Sequence, residues 1–395
     1  WMPAGYSMIK SILACWGCKA SFMPIDPDYP VERLQWMIDQ AKPVVMVTDR
    51  AVMPSGLEVN FIHPDKFHDL GNDDLGTALS QESDTNWRQQ ARQMVEETLN
   101  QVGDREAYLI FTSGSTGTPN GVRVGQRAIT RFVNEAVIRY GFNAEDIVLQ
   151  FSNPTFDAAL EEICCSLFVG ATLVIRPPAT PEPNALMRFV VVNRITVLDL
   201  PTAFWRLWVN SSYFQSENIP SSIRLVILGG EALFASDLQL WRNVVSPTVS
   251  LVNSYGPTET AVVVLTTKLD KEIKPYSVIP LGDELPATQA WIMNSKGEAL
   301  PPLVPGELWI TGEQLALGYL NQPEKDRVAF PELIGLYSLD ALTLRKNVLS
   351  NPSGDSDLSR TGDGESEIEV KISKRAYRTG DKVVRTYDGR LLFLG

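Results

Sequence analysis

The stretch with the clearest chemical character is a run of Gly, Ser and Thr behind an apolar segment. Thr112–Val122 reads TSGSTGTPNGV and follows the apolar residues Tyr108–Phe111. Glycines let backbone N–H groups approach an anion, and hydroxyls add hydrogen-bond donors without a fixed charge. The run lacks the Gly-Lys-Ser/Thr ending of a Walker A loop and is not a dinucleotide fingerprint. We therefore predict a phosphate-binding loop of another kind.

Polar residues also follow three predicted strands in the middle of the chain. Asp199 closes one apolar run, Gly-Gly-Glu at 229–231 follows the next, and Asn253–Glu259 follows the third. Open α/β sheets bind ligands at the carboxyl ends of their strands. Tyr255 offers a ring for stacking, and Glu259 a hard oxygen ligand for Mg²⁺. This edge is thus a predicted ligand site, although the Gly-Pro pair within the third segment also suits an ordinary turn.

A third signal is acidic. Asp157 and Glu161 are four residues apart, on one face of a predicted helix. Like charges at that spacing destabilise a helix by about 0.2–0.5 kcal/mol unless a cation answers them. On spacing alone, Asp157 as a helix cap and Glu161 on a solvated face remain the alternatives to a binding site.

The elements that position these residues follow from short apolar runs alternating with helical periods. Predicted strands are Ile147–Phe151, Ala171–Ile175, Ile195–Leu200, Arg224–Leu228 and Val249–Val252, and predicted helices are Asp157–Phe168, Pro183–Asn193, Thr202–Asn210 and Ala235–Val244. This alternation predicts an α/β fold with a parallel sheet covered on both faces. Glu307–Thr311 and Val383–Phe393 alternate like antiparallel strands, whereas 70–105 and 350–373 are polar, and the latter is predicted to be mobile.

Composition narrows the function classes. Of 395 residues, 35 are Lys or Arg and 47 are Asp or Glu, which gives a net charge of −12. An acidic surface disfavours non-specific binding to nucleic acid or anionic membrane, and no apolar run is long enough to span a bilayer. Because the chain opens on Trp1 without a leader-like segment, we expect a soluble cytoplasmic protein and an excerpt of a longer one.

Cysteines are too few for a disulfide scaffold. Cys15 and Cys18 form a CxxC pair, but the sequence holds only His63 and His68 as histidine ligands for zinc. We interpret the pair as buried helix residues.

The chain resembles the adenylate-forming (AMP-binding) superfamily, specifically the adenylation domains of nonribosomal peptide synthetases. The motifs that carry the resemblance occur in order: Phe22–Pro30, Thr112–Gly121, Phe156-Asp157, Asn253–Glu259, Gly306-Glu-Leu through Gly318-Tyr-Leu, and Tyr377-Arg-Thr-Gly-Asp381. It implies the large N-terminal core of such an enzyme, with mostly parallel sheets covered by helices and a small antiparallel β subdomain. It also implies that an acyl adenylate forms from a carboxylate and ATP, with release of pyrophosphate. The acyl group then passes to a carrier protein's phosphopantetheine thiol.

The resemblance assigns roles to individual residues. Thr112, Ser113, Gly114, Ser115, Thr116 and Gly117 are expected to hold phosphates, Gly230, Glu231, Ala232, Asn253 and Tyr255 the adenine, Thr258 the α-phosphate, Asp381 the ribose hydroxyls and Glu259 the Mg²⁺. Asp157 is expected to anchor the α-ammonium of an amino acid, which separates amino-acid activators from fatty-acyl or aryl activators.

A side-chain pocket follows by the same comparison. Its expected residues are Asp157, Ala158, Glu161, Asp199, Ile227, Gly229, Ser254, Val262 and Val263. A buried carboxylate is costly without a partner, and a cationic substrate would supply one for Glu161 and Asp199. The pattern also resembles lysine-activating pockets. We expect lysine, then ornithine or arginine, with glutamine third.

The resemblance also sets expectations for domains and partners. Residues 1–330 are expected to form an adenylation core with a truncated start, 331–376 a largely mobile insertion, and 377–395 the end of the core before the hinge. The small C-terminal domain, with its catalytic lysine, is expected to be absent, and Asn120 stands where the family usually has a phosphate-loop lysine. Carrier (thiolation) and condensation domains are the expected partners, without nucleic acid or membrane. An acyl-CoA-ligase-type enzyme and a non-catalytic core remain the alternatives.

Overall fold

The computed structural model describes residues 1–50, 57, 59–64, 104–113, 119–177, 182–211, 214, 219–269, 278–339 and 368–395, the side chains of 334–339 and 368–373 excepted. The helices are α1 (Tyr6–Gly17), α2 (Val31–Ala41), α3 (Gln126–Tyr140), α4 (Ala158–Val169), α5 (Pro183–Val192), α6 (Thr202–Val209), α7 (Ala235–Val244) and α8 (Pro323–Ala329). A 3₁₀ turn covers Thr258–Thr260. None of the described helices has the length and apolar character needed to cross a membrane.

The strands follow one another along the chain between these helices. They are β1 (Met46–Val47), β2 (Phe61–Ile62), β3 (Glu106–Thr112), β4 (Asn120–Gly125), β5 (Ile147–Gln150), β6 (Thr172–Ile175), β7 (Val197–Pro201), β8 (Leu225–Gly229), β9 (Ser250–Tyr255), β10 (Leu265–Lys268), β11 (Asp283–Glu284), β12 (Thr288–Met293), β13 (Gly306–Gly312), β14 (Gly318–Tyr319), β15 (Glu332–Leu339), β16 (Ile368–Arg385) and β17 (Leu391–Phe393). The predicted α/β alternation is confirmed, with no bound shifted by more than three residues.

The main sheet carries the site. In the described residues its strand order is β11-β10-β9-β8-β7-β5-β6, and β6, β5, β7, β8 and β9 are mutually parallel. β10 and β11 join antiparallel at one edge. Apolar clusters cover both faces, one with Phe132 and Leu160 from α3 and α4, the other with Trp205 and Trp241 from α6 and α7. Burial on both faces explains why these strands read as continuous apolar runs.

Two smaller antiparallel sheets flank this layer. One has the order β14-β4-β3, and the other has β12-β13-β16-β15 with β17 beside β16. Val383–Phe393, which alternates as one strand in the sequence, is the end of β16, a turn and β17. The fold class expected from the family resemblance is confirmed.

The two ends of the predicted insertion are ordered strands. β15 and β16 pair over Glu332–Leu339 and Ile368–Arg375, and β16 runs on without a break past position 376 into the Tyr377–Asp381 motif. No element boundary therefore separates the predicted insertion from the final segment. Residues 340–367 lie outside the described residues, so their predicted mobility stays a prediction.

Candidate active site

Three parallel strands bring the predicted pocket residues to one edge. Asp199 on β7 lies opposite Ile227 on β8, and Pro201 lies opposite Gly229. Asp199 is therefore two residues inside the strand rather than at its end. Because side chains alternate along a strand, Asp199 shares the face of Val197, which packs in the cluster formed with α3 and α4. The sheet thus aims this carboxylate at the two helices.

Asp157 stands at the start of α4. It occupies the N-cap position, but its side chain makes no capping hydrogen bond, so the capping interpretation is wrong. Thr258, in the segment after β9, lies close enough to interact with the carboxylate. Its Oδ2 atom is buried without a hydrogen-bond partner. Burial raises the pKa of Asp157 to about 6; the Thr258 contact opposes this rise, and the charge of Glu259 adds to it.

Glu162 fixes the segment that leads to Asp157. Its carboxylate accepts the N–H groups of Phe151 (3.1 Å) and Ser152 (2.9 Å), and a side-chain N–H of Gln150 (3.3 Å). These bonds join the first turns of α4 to the end of β5. Burial raises the pKa of Glu162 to about 8, against the pull of the N–H donors. The sequence did not predict this role for Glu162, because the four-residue spacing from Asp157 pointed to its neighbour Glu161.

Glu161 and Asp199 form a buried acid pair. They are 2% and 7% exposed, so the solvated-face interpretation of Glu161 is wrong. Burial and the proximity of Asp199 raise the pKa of Glu161 well above its usual range; burial and the nearby Glu162 do the same for Asp199. Glu161 Oε1 and Asp199 Oδ2 have no hydrogen-bond partner. Neither residue takes part in an ion pair within the described ranges, so the pair has no cation.

Two tyrosines complete this region, and the sequence predicted a site role for neither of them. Tyr140, at the end of α3, has a buried hydroxyl without a hydrogen bond of normal geometry, facing Glu161 and Asp199. The hydroxyl of Tyr108 on β3 is also buried without a partner and lies near Asp157. Burial raises the pKa of both phenols well above the usual range, so they stay neutral. A tyrosine in an apolar helix period carries no sequence signal that separates it from core.

The other pocket residues are small or apolar. Ile227, Val262 and Val263 are buried, Ala158 is partly exposed, and Ser254 donates its hydroxyl to the Leu228 carbonyl at 2.9 Å. A Cβ at Gly229 would lie 2.8 Å from Ser254 Oγ, so a side chain there would close this part of the crevice. Val262 has φ 73°, unusual for a β-branched residue, in a turn whose Val263 carbonyl accepts a hydrogen bond from Gln314 at 2.9 Å. Because these residues are small or mostly apolar, the carboxylates are the charged groups of the predicted pocket.

The predicted nucleotide residues lie on both sides of β9. Tyr255 donates its hydroxyl to Asp381 Oδ2 at 2.5 Å, which joins the end of β9 to β16. Gly230, Glu231 and Ala232 form an exposed edge after β8, and Gly230 has φ 86°. Together these residues make an open shelf beside a carboxylate.

Asn253 is placed differently from its expected neighbours on that shelf. Its side chain is buried and donates to the Pro280 carbonyl at 3.1 Å. The amide is therefore engaged inside the protein, and any contact with a nucleotide falls to other atoms of this segment.

Only the ends of the predicted phosphate loop are described. Thr112 ends β3 and donates its hydroxyl to the Asn120 carbonyl at 3.4 Å, and Ser113 is exposed. Gly114, Ser115, Thr116 and Gly117 lie outside the described residues. Their phosphate-binding role stays a prediction.

The carboxylate of Glu259 is held in place by a tyrosine hydroxyl. Its Oε1 accepts the hydroxyl of Tyr319 at 2.6 Å, and Tyr377 and Lys325 also lie near enough to interact electrostatically with it. No group of three metal-ligating side chains occurs in the described ranges. Proteins usually hold Mg²⁺ through one or two carboxylates together with water and substrate phosphates, so Glu259 as its ligand stays a prediction.

The cysteine pair shows no zinc-type arrangement. Cys18 is exposed beyond the end of α1 and Cys15 is half-buried, so the interpretation of both as buried is wrong for Cys18. Burial raises the pKa of the Cys15 thiol, which disfavours a reactive thiolate.

Known proteins match most or all of the chain. It is 31% identical over 396 residues to the isonitrile lipopeptide synthase of Streptomyces coeruleorubidus, covering 100% of this chain and 23% of that protein. It is 32% identical over 331 residues to a dimodular nonribosomal peptide synthase of Bacillus subtilis strain 168, covering 82% of this chain and 13% of that protein. The chain thus spans less than a quarter of either relative.

A solved structure shows the same fold. A four-domain nonribosomal peptide synthetase, crystallised in its holo form with AMP and glycine, superposes with a TM-score of 0.72 at 27% identity. The match covers 100% of this chain and 25% of that protein. The resemblance predicted from the ordered motifs is confirmed.

The family assignment follows from the match that covers most of the chain. The AMP-binding enzyme family matches residues 1–320, which include the phosphate-loop, Asp157 and Asn253–Glu259 motifs. The chain therefore belongs to the AMP-binding enzyme family.

Proposed function

We propose that this protein activates an amino acid with ATP, forming an aminoacyl adenylate and pyrophosphate. An oxygen of the amino-acid carboxylate attacks the α-phosphorus, and the bond to the bridging oxygen of pyrophosphate breaks. The acyl group then passes to a phosphopantetheine thiol on a carrier domain, with release of AMP. Carrier and condensation domains of a peptide synthetase are the proposed partners.

Asp157 is the observation that favours an amino acid over a fatty or aryl acid. A carboxylate oxygen buried without a partner is unfavourable in the empty protein. The α-ammonium of an amino acid supplies both the charge and the N–H donors that Asp157 lacks. Thr258 and Glu259 both lie close enough to the Asp157 carboxylate to influence its pKa, so the anchor and the proposed metal ligand are near each other. This adjacency suits a reaction in which the substrate carboxylate meets the α-phosphate.

The nucleotide is proposed to lie against Tyr255 and the 230–232 edge, with Asp381 accepting both ribose hydroxyls. Glu259 would hold Mg²⁺, which supplies positive charge to the phosphates when bound. The residues of the chain act by positioning the two reactants and by stabilising charge, the effects that dominate phosphoryl-group chemistry in proteins.

For the side chain of the substrate we propose a basic amino acid, lysine before ornithine or arginine. Three carboxylates, Asp157, Glu161 and Asp199, have unpartnered buried oxygens in one crevice. Lysine brings two positive charges to them. Leucine would leave Glu161 and Asp199 buried and unpaired, and sites with unpaired polar groups reject such ligands strongly.

The test is amino-acid-dependent pyrophosphate exchange in the full-length protein. Lysine, ornithine, arginine, glutamine and leucine are compared in wild type and in a Glu161→Gln, Asp199→Asn double variant. We expect wild type to prefer a basic amino acid by about 10–150-fold, the worth of one charge-assisted hydrogen bond, and the double variant to lose most of that preference. A preference for leucine would refute the basic specificity alone. Exchange driven by fatty or aryl acids, and not by amino acids, would refute amino-acid activation.

A further inference from the structure

The hydroxyl of Tyr140 is buried and is not fully satisfied within the described part of the protein. Tyr140 is 5% exposed and its ring packs against Phe142 at 6.1 Å, yet its oxygen forms no hydrogen bond of normal geometry. Buried hydroxyls in proteins are nearly always bonded, so such an exception calls for an explanation. A phenylalanine would pack equally well here if only the ring mattered.

The neighbours of this hydroxyl are the two acids. Tyr140 interacts with Glu161 on α4 and with Asp199 on β7, and it lies close enough to lower the pKa of Glu161 against the stronger effect of burial. Cys165 and Asp157 on α4 are the other titratable groups near Glu161, and Glu162 is near Asp199. Oxygen atoms from three separate elements therefore converge, and the phenol O–H is the donor among them.

Nearby cations of α3 are used elsewhere. Arg139 donates to the Glu284 carbonyl at 2.9 Å, and Arg131 pairs with Glu313 at 2.8 Å. Neither guanidinium pairs with the acids, so a ligand can supply the positive charge for the three oxygens.

We infer that Tyr140 is a specificity-determining residue, whose hydroxyl joins Glu161 and Asp199 in a three-oxygen site for a primary ammonium group. This inference rests on the proposed amino-acid activation and deepens it. An ammonium has three N–H donors in a non-planar arrangement, which three oxygens from separate elements can accept. The phenol donates its own O–H to a carboxylate and accepts one N–H. A planar guanidinium favours two parallel bonds to one carboxylate, and an amide offers only two donors.

The test is Tyr140→Phe in the full-length protein, measured by pyrophosphate exchange with lysine, ornithine, arginine and glutamine. We expect the KM for lysine to rise about 10–100-fold with kcat little changed, and the preference for lysine over glutamine to fall by the same factor. Tyr108→Phe is the matched control, because it removes an equally buried, unpartnered hydroxyl that lies near Asp157 instead. That variant should leave the lysine-to-glutamine ratio unchanged.

The outcomes separate this inference from the proposed function. An unchanged lysine KM in a folded Tyr140→Phe variant refutes the role of Tyr140 while exchange by wild type still supports activation. Absence of amino-acid-dependent exchange in wild type refutes the activation itself. If Tyr140→Phe does not fold, wild type is tested with Nε,Nε-dimethyl-lysine, which keeps the charge but has one N–H donor. A three-oxygen site predicts at least a 10-fold loss relative to lysine, and equal exchange would overturn it.

Discussion

The buried acid pair predicts that the protein is less stable than it need be. Glu161 and Asp199 lie 2% and 7% exposed with no cation, so ionising them in the empty pocket is unfavourable. A Glu161→Gln, Asp199→Asn double variant keeps the shapes and removes both charges. We expect this variant to have a higher free energy of unfolding than wild type at pH 7.

The sign follows from the raised pKa of each acid. Unfolded Asp and Glu have pKa values of about 3.9 and 4.3, and below these both states are protonated and the pair has no effect. As the pH rises, the unfolded chain ionises first, so the unfolding free energy of wild type falls until the pH passes the folded pKa. Each unit between the two pKa values is worth about 1.4 kcal/mol. Buried ion pairs replaced by apolar residues of similar volume give changes from zero to a stabilisation of about 1–4 kcal/mol, which sets the scale expected for removing this unpaired charge.

The assay is urea unfolding of wild type and the double variant from pH 4 to pH 8. The difference in unfolding free energy should grow with pH, because only wild type carries the acid pair. Other titrating groups such as Asp157 and Glu162 are common to both proteins and largely cancel in the difference. Lysine should stabilise wild type more than the variant. Glu324→Gln is the control, since this carboxylate is 79% exposed in an ion pair on α8. A constant difference across the pH range, or a wild type that is more stable at pH 7, would refute the reasoning.

Three further substitutions test the rest of the site. Glu259→Gln should leave the melting temperature almost unchanged, since an amide oxygen can still accept from Tyr319, and should lower Mg²⁺-dependent exchange by about 10–1000-fold. Asp157→Asn should raise the KM for every amino acid without weakening ATP binding measured by calorimetry. In wild type, amino-acid affinity should fall as the pH drops through the pKa of Asp157, about 6. Glu162→Ala should lower the unfolding free energy by about 1–3 kcal/mol, because it leaves the N–H groups of Phe151 and Ser152 unpaired; ATP binding in the folded variant should persist.

The sequence was sufficient for the main sheet because its signals are local. Apolar runs of four to six residues between helical periods predicted β5 through β9, and α7 was predicted with the same bounds, Ala235–Val244, that the structure has. Strand ends were less accurate: β9 extends to Tyr255 and β7 to Pro201. Those added residues lie at the ligand edge, where hydrogen-bond partners on neighbouring strands, rather than local composition, decide how far a strand runs.

The site could be predicted only in part, because some of its residues come together through tertiary contacts. Asp157, Glu161 and Asp199 stood out as charges in apolar contexts, and the family resemblance suggested their roles, which stay predictions. Tyr140, Tyr108 and Glu162 contribute through contacts between α3, α4, β3 and β5 that no spacing along the chain encodes. Whether Glu161 faces solvent or the sheet likewise depended on how α4 sits on β7. A helical period gives the face of a side chain but not what covers it.

The pattern of unsatisfied atoms argues that the pocket is built for a ligand. In the described part of the chain, the buried carboxylate oxygens without a hydrogen-bond partner belong to Asp157 and Glu161 at the start of α4 and to Asp199 on β7. A core assembled for stability would place N–H donors or cations there, as Glu162 receives from Ser152 and Asp146 from Arg224. A ligand carrying two ammonium groups would supply donors to all three. Under the proposed specificity, selectivity and destabilisation have one physical cause, so a variant that stabilises the protein at these positions should also lose the proposed preference for a basic side chain.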